Sequence, residues 1–411
     1  MSLAPPLRDT RPFRRRPRRR AGARVPDRRF EAGEERAFVP DGGLVVAVVV
    51  LLGLGLVAIE SATATRAPEA GLSPYTLGQL GGAAAGALLA LAAMHVPLRL
   101  LVLAAPGLYL AGVVLLALVL ATAPPVNGAQ RWLPLPGGLV FQPAELAKFA
   151  TVLLTAVYLA RDHRMRAGPV RSAALTGCLA AVPAGLLVAQ PDLGNAVLVP
   201  LLVGGLLFAA GMPLRFFGLG GTALGALVAW HVVTHPYAMA RLRGFLDPFA
   251  VARGEGFQLV QSFVAFGRGS LTGVGIGMGR QPIEWLPEAH TDFILAVVAE
   301  ELGVLGALAV LGAFAAITLA GFRIARRARD PLARLVATGM TLLLAVPGLV
   351  NGAVVTGLLP TKGLALPFMS YGRSGLLISF LAAGILAGIG RREAAPSPPP
   401  VRGAVRRRRL P

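Results

Sequence analysis

Several devices of soluble enzyme chemistry are missing from this chain. Cysteine occurs once in 411 residues, as Cys178 within an apolar run, so no intrachain disulfide braces a loop and no redox pair exists; Cys178 reads as a small core residue. There is no Walker loop and no serine–histidine motif, which removes ATP-driven and common nucleophilic mechanisms. No internal repeat of the inverted-transporter kind is visible. Acidic residues are also scarce, 20 against 40 lysines and arginines, leaving a net charge of +20.

That excess suggests nucleic acid until its placement is examined. The arginines collect in the two ends and in certain short loops. Residues 1–42 include Arg14 to Arg16 and Arg18 to Arg20 among prolines, and residues 391–411 close with Arg406 to Arg409 after a proline run. Both read as disordered basic tails that lean on anionic lipid, at about 1 kcal/mol per basic residue near the surface, so no nucleic-acid partner is expected. The basic start is too long, and too far from the first apolar run, to resemble a cleaved signal peptide.

What the chain has in abundance is hydrophobic sequence: 55% of residues, with 51 glycines and a mean hydropathy of +0.66. This is an all-α polytopic membrane protein. With about 20 apolar residues per crossing, spans fall near 43–61, 77–95, 98–122, 141–160, 171–190, 193–210, 214–234, 292–320, 332–357 and 374–390, a ten-helix membrane domain over residues 43–390. Basic residues should occupy alternate loops if no span is missing. The first tail, Arg99, the loop with Arg161, Arg164 and Arg166, Arg215, the loop with Arg323 to Arg334 and the last tail do fall on one side. Both termini are therefore expected in the cytoplasm, with a long extracytoplasmic segment at 235–291 that is too long for a structureless loop. Short helices are expected there, with residues 257–266 apolar enough to lie along the interface. Its glycines at 267, 269, 273, 275, 277 and 279 either let backbone N–H groups approach a phosphate or let the chain turn and pack closely.

The unusual polar residues gather on the outer side. His290 and Asp292 stand at the mouth of an apolar run, with Glu300 and Glu301 just inside. Ionisable groups in hydrocarbon cost roughly 2.5–3.5 kcal/mol each on insertion scales, so they mark function. Two residues at i,i+2 make a weak zinc signal; a hard divalent ion, Mg or Mn, shared between a carboxylate and a substrate diphosphate fits better, and no organic cofactor is expected. Arg131 and Trp132 precede Glu145 and Lys148, which form either a local i,i+3 pair or a site for an anionic headgroup; residue types leave both open. Asp192 interrupts two apolar runs, as a helix cap or a substrate contact. Lys362 and Ser370 lie in a Pro/Gly-broken segment, a form tolerated at membrane depth only where protein or a water-filled cavity covers it. Lys362 is a candidate phosphate ligand or a snorkelling lysine.

In order along the chain, NGAQRW (127–132), FQPAELAK (141–148), QPDLGNAV (190–197), GFQLVQSFVAFGRGSLTGVGIG (256–277), LPEAHTDFILAVVAEELG (286–303) and NGAVVTGLLPTKGLALPFMSYGRSG (351–375) resemble the SEDS (shape, elongation, division and sporulation) family of peptidoglycan polymerases. The forms at 286–292 and 361–364 look more like its division members than its elongation members. The resemblance implies a multi-pass protein of the bacterial cytoplasmic membrane that joins lipid II units into glycan strands on the outer face. Its implied partners are a class B penicillin-binding protein that crosslinks the product and other division or elongation proteins. By the same resemblance Asp292 matches the family's essential acid, and Trp132 and Lys362 match functional residues. A carboxylate can take the proton from an attacking sugar hydroxyl while Arg131, Lys148, Lys362 or a divalent ion steadies the departing diphosphate. Two departures stand out: Arg373, where the family usually has a second glycine after the tyrosine, and Asn195, where it often has threonine. The competing classes are a lipid II flippase, which would need polar groups lining a path from the cytoplasmic face, and a scaffold for division partners, which leaves Asp292 unexplained.

Overall fold

The computed structural model describes residues 42–63, 71–125, 129–136, 139–162, 168–280 and 289–394. Residues 1–41 and 395–411 of the two tails, Asn127, Gly128, Arg164, Arg166 and the run from Trp285 to Glu288 lie outside these, while Gly42 and residues 391–394, expected as tail, belong to the first and last helices. Twelve helices and one small hairpin account for the ordered elements among the described residues. They run α1 (Gly42–Thr63), α2 (Pro74–His95), α3 (Leu98–Thr122), β1 (Leu133–Leu135), β2 (Leu139–Phe141), α4 (Pro143–Arg161), α5 (Pro169–Ala189), α6 (Leu193–Ala209) and α7 (Leu214–Thr234). Then come α8 (Pro236–Leu246), α9 (Phe257–Gly269), α10 (Ile294–Arg327), α11 (Pro331–Val355) and α12 (Arg373–Ala394).

Local sequence explains the starts. Pro74, Pro143, Pro169, Pro236 and Pro331 each open a helix, where a missing N–H costs nothing and φ is preset. Ser73, Asp192 and Asp330 cap α2, α6 and α11 through side-chain oxygens that accept first-turn N–H groups. Nine helices among the described residues are long and apolar enough to cross a membrane. The tenth expected span, α6, is apolar but only 17 residues, about 25 Å at 1.5 Å per residue, because Asp192 begins it late and the turn at Ala210 ends it.

Burial is uneven. Helices α4 and α11 are mostly enclosed, whereas α7 buries only His231 among its 21 residues. Small residues set the closest approaches: a Cβ at Gly384 of α12 would stand 2.4 Å from the Ala90 backbone oxygen of α2, so backbone rides on backbone as in tight membrane packing. Cys178 is exposed rather than a core residue. The buried stripe of α5 runs through Ser172, Thr176, Ala180, Pro183 and Leu187, and position 178 faces away from it.

The segment from His235 onward carries α8 and α9. Leu259, Ser262, Ala265 and Gly269 are the buried positions of α9, a helical stripe that turns the element onto α10 and α11. Ser262 Oγ donates to the Val355 carbonyl at 2.8 Å. The glycine-rich run that follows splices into α10. Gly303 has φ 70° and ψ −168°, a region open essentially to glycine alone. Around it Val304 and Leu305 N–H donate to the Ser270 and Leu271 carbonyls at 3.0 and 3.3 Å, and Val274 and Gly275 N–H donate to the Glu300 and Glu301 carbonyls, both at 3.0 Å. The loop thus supplies the bonds that the broken helix cannot. Arg268 pairs with Glu300 at 3.1 Å, Arg280 N–H donates to the same carboxylate at 3.1 Å, and Ser61 donates to Glu301. A Cβ at Gly279 would crowd both carboxylates. Gly269, Gly273 and Gly279 therefore serve close packing on the stretch that carries the two buried acids.

Candidate functional site

The loop between α11 and α12, residues 356–372, frames the site. Asn351, fully buried in α11, fastens it: the side-chain amide donates to the backbone oxygens of Asp292 and Leu364, both at 2.7 Å. One residue thereby ties the loop to the turn that precedes α10, through two bonds worth about 0.5–1.5 kcal/mol each. Between these anchors the Asp292 carboxylate rests on Gly363, where a Cβ would stand 2.5 Å from Oδ2, so a larger residue would push the acid away. On its other side the loop meets the start of α6: a Cβ at Gly194 would lie 3.4 Å from the Leu364 side chain. Asp292, Lys362, Gly363 and the Asp192 end of α6 consequently form one assembly.

Lys362 is half-buried and makes no hydrogen bond or ion pair among the described residues. Burial pushes its pKa below the ordinary lysine value, while the negative charge of Asp192 opposes that fall. An ammonium held in this way is available to an anion that enters from outside the protein.

The other basic candidates are committed. Arg131 stands 4.0 Å from Asp192 Oδ2 and donates to the Pro191 carbonyl. Asp192 accepts from the Asn195 amide at 2.8 Å, Asn195 Oδ1 accepts from Lys148 Nζ at 2.9 Å, and Lys148 donates to Glu145 at 2.7 Å. The result is a row, Arg131, Asp192, Asn195, Lys148 and Glu145, in which charges are matched. Lys148 is buried, and a buried charge persists only when paired. Of the two readings open for Glu145 and Lys148, this geometry realises the local pair. Both still border a cavity shared with Leu366, Ser370 and Gly375. Asn195 spans Asp192 and Lys148 by using its donor and its acceptor together.

His290 and Ser370 support the frame. His290 is buried and packs edge-on to Tyr75, centroids 5.0 Å apart, and against Tyr371 at 5.8 Å. Ser370 donates to the Thr291 carbonyl and accepts from Leu366 N–H at 2.9 Å, while its own carbonyl accepts from Gln79 at 3.1 Å. Trp132 is partly exposed at the entrance to the hairpin of β1 and β2. Arg373 turns toward α2, where a Cβ at Gly78 would lie 2.7 Å from its guanidinium. Asn351, Gln79 and Tyr75 were missed; a lone polar residue inside an apolar helix was the only signal for the first two.

Residues 43–395 match the family described as cell cycle protein, FtsW/RodA/SpoVE. A probable peptidoglycan glycosyltransferase FtsW of Halomonas elongata is 40% identical over 358 residues, 84% of this chain and 89% of that protein. The protein of the same description from Halorhodospira halophila is 41% identical over 357 residues, 85% and 89% of the two chains. Among solved structures, a chain from a peptidoglycan synthase complex, described for its structural coordination of polymerization and crosslinking, superposes with a TM-score of 0.72 at 31% identity, covering 87% of this chain and 99% of that one. The rod shape determining protein RodA of Thermus thermophilus gives a TM-score of 0.64 at 29% identity, over 88% and 99%.

Proposed function

The chain belongs to the FtsW/RodA/SpoVE family of cell cycle proteins, and from that premise we propose that it is a peptidoglycan glycosyltransferase that polymerises lipid II at the outer face of the bacterial cytoplasmic membrane, in cell division. The observation that carries this reading is the seating of a carboxylate, Asp292, on Gly363, the residue that follows Lys362 in the α11–α12 loop. In the proposed step Asp292 accepts the proton of a sugar hydroxyl as that oxygen bonds to the anomeric carbon of the donor. The bond from that carbon to the lipid diphosphate breaks, and its electron pair leaves on the diphosphate oxygen. Lys362 meets the charge that develops there, where a prepositioned cation is worth most. One displacement without an enzyme nucleophile inverts the anomeric centre.

No three His, Cys, Asp or Glu side chains gather as a metal set among the described residues. Asp292 is the carboxylate here that would hold a Mg or Mn ion, and such an ion would supply positive charge to stabilise the departing diphosphate. The partner in this reading is a class B penicillin-binding protein that crosslinks the glycan, and the likeness to a synthase complex supports it.

The test is Asp292→Asn, which keeps the shape and removes the proton acceptor. With purified lipid II and the co-purified transpeptidase, glycan synthesis should fall roughly 100-fold or more while folding and partner binding persist. Near-normal synthesis by a well-folded variant would overturn the assignment. Glu300 is a poor substitute base, since Arg268 and Arg280 N–H already hold its carboxylate.

A further inference from the structure

The first backbone bonds of α10 run to Phe293, whose carbonyl accepts from Ala296 and Val297 N–H at 2.9 and 3.4 Å. The three carbonyls before it are met from elsewhere. Tyr371 N–H donates to the His290 carbonyl at 2.9 Å, Ser370 Oγ donates to the Thr291 carbonyl, and Asn351 Nδ2 donates to the Asp292 carbonyl at 2.7 Å. Every donor comes from the end of α11 or from the loop between α11 and α12. The turn that carries the acid is thus held at three successive residues by one neighbouring stretch of chain.

The donors are themselves fixed. Gln79 of α2 donates to the Ser370 carbonyl at 3.1 Å, and Met369 lies against α1, where a Cβ at Gly55 would stand 2.6 Å from its carbonyl oxygen. The Tyr371 ring meets Tyr75 edge-on at 5.2 Å, and Tyr75 meets His290 in the same way at 5.0 Å. Asn351 is fully buried and donates a second time, to the Leu364 carbonyl at 2.7 Å. Two acceptors are left over: Asn351 Oδ1 and Gln79 Oε1 are buried with no hydrogen-bond partner among the described residues. An unmet buried acceptor is destabilising. Both amides therefore hold this backbone at a cost to stability, the pattern expected where geometry serves function.

We propose that Asn351, Ser370 and the Tyr371 N–H form a clasp that aims Asp292 at the hydroxyl it deprotonates, which makes Asn351 and Ser370 positioning residues of the reaction. This deepens the glycosyltransferase reading and rests on it. With the carbonyls of residues 290–292 engaged, the backbone beneath the acid is fixed. Gly363 bounds the carboxylate from the other side, since a Cβ there would stand 2.5 Å from Oδ2. The single Asn351 amide joins the acid to Leu364, the residue after Gly363, so base and loop keep one spacing. A general base works only within hydrogen-bond reach of its proton, and a misplacement of about 1 Å can cost roughly 100-fold. Ser370, a candidate substrate contact by sequence, gives its one hydroxyl proton to Thr291 and has none left to donate to a sugar.

The test is steady-state polymerisation by the full chain with its co-purified transpeptidase, with kcat and KM for lipid II resolved in Ser370→Ala, Asn351→Ala and Ser262→Ala. The first two should lose roughly tenfold or more in kcat while KM stays within about twofold, as for groups that act through the base rather than on the substrate. Ser262→Ala removes a buried hydroxyl bond of the same kind, to the Val355 carbonyl at 2.8 Å, and should lower the melting temperature without changing kcat. Should Asn351→Ala fail to fold, Ser370→Ala, which loses one hydroxyl, decides. A normal kcat in folded Ser370→Ala overturns the clasp. So does a raised KM at normal kcat, which would make Ser370 a substrate contact, and so does an equal loss of kcat in Ser262→Ala, which would reduce the effect to general stability. Asp292→Asn in the same assay separates the two readings. Activity lost there but kept in the Ser370 and Asn351 variants removes the clasp alone; near-normal synthesis by Asp292→Asn removes the base, and the clasp with it.

Discussion

Lys362 brings burial and chemistry into opposition. Burial holds its pKa below the ordinary value of 10.5, against the pull of Asp192, so the folded chain releases this proton at lower pH than the unfolded chain does. Its unfavourable effect on stability is fully present below the lowered pKa and fades as pH rises toward 10.5. The effect on catalysis has the opposite sign, since the charged form serves the leaving group. The alkaline limb of polymerisation should lie below 10.5, and Lys362→Arg, which stays protonated, should move the limb upward in a pH–rate profile; an unmoved limb would remove the ammonium from the chemistry. At this scale Asp292 and Lys362 were legible because a charge among apolar residues needs a reason, and a family motif named both. Asn351 was not, because it draws its meaning from partners more than ten residues away.

At the scale of the element, the instructive case is α10. Hydropathy marks residues 292–320 as one continuous span, yet the helix is interrupted at Gly303 and continues to Arg327. Counting apolar residues cannot register an exchange of hydrogen bonds with a distant loop; glycine after Glu300-Glu301-Leu302 was the sole local hint. Gly303→Ala should destabilise the fold by more than the roughly 1–3 kcal/mol of backbone strain alone, because its Cβ would stand 2.4 Å from the Leu271 carbonyl oxygen. Thermal unfolding in a fixed detergent reads this directly, and an unchanged transition would show that the kink is dispensable. The stripe on α9 was visible as apolar sequence, but its partner was not: an apolar face at a membrane surface fits lipid or protein equally well, and only packing decides.

At the scale of the whole molecule, charge placement carried more information than charge total. Apolar runs led to an expectation of ten membrane crossings, with which the alternation of arginines agrees, and the described residues supply nine long apolar helices and the shorter α6. The orientation it predicts puts Arg326 in the cytoplasm and Lys362 outside. In a Cys178→Ala background, which alters only an exposed position of α5, a cysteine at 362 should react with an impermeant reagent in intact cells and one at 326 should not. The reverse pattern would place the site on the wrong face for an outward-facing polymerase. Legibility was lowest for tertiary joints such as the Asn351 clasp, since hydropathy describes each span against lipid and says nothing of which spans meet.

The splice at Gly303 also bears on the order of biogenesis. A continuous α10 would direct the N–H groups of Val304 and Leu305 to the carbonyls of Glu300 and Glu301; in the finished protein those four groups bond instead to residues 270–275. Unsatisfied backbone is prohibitive in hydrocarbon, so the unbroken helix is the form suited to entering the bilayer, and the break is suited to forming only when the preceding loop docks. Asp292 lies in the turn just before α10, so the break and the acid's surroundings belong to one stretch of chain that takes its final form when the loop docks.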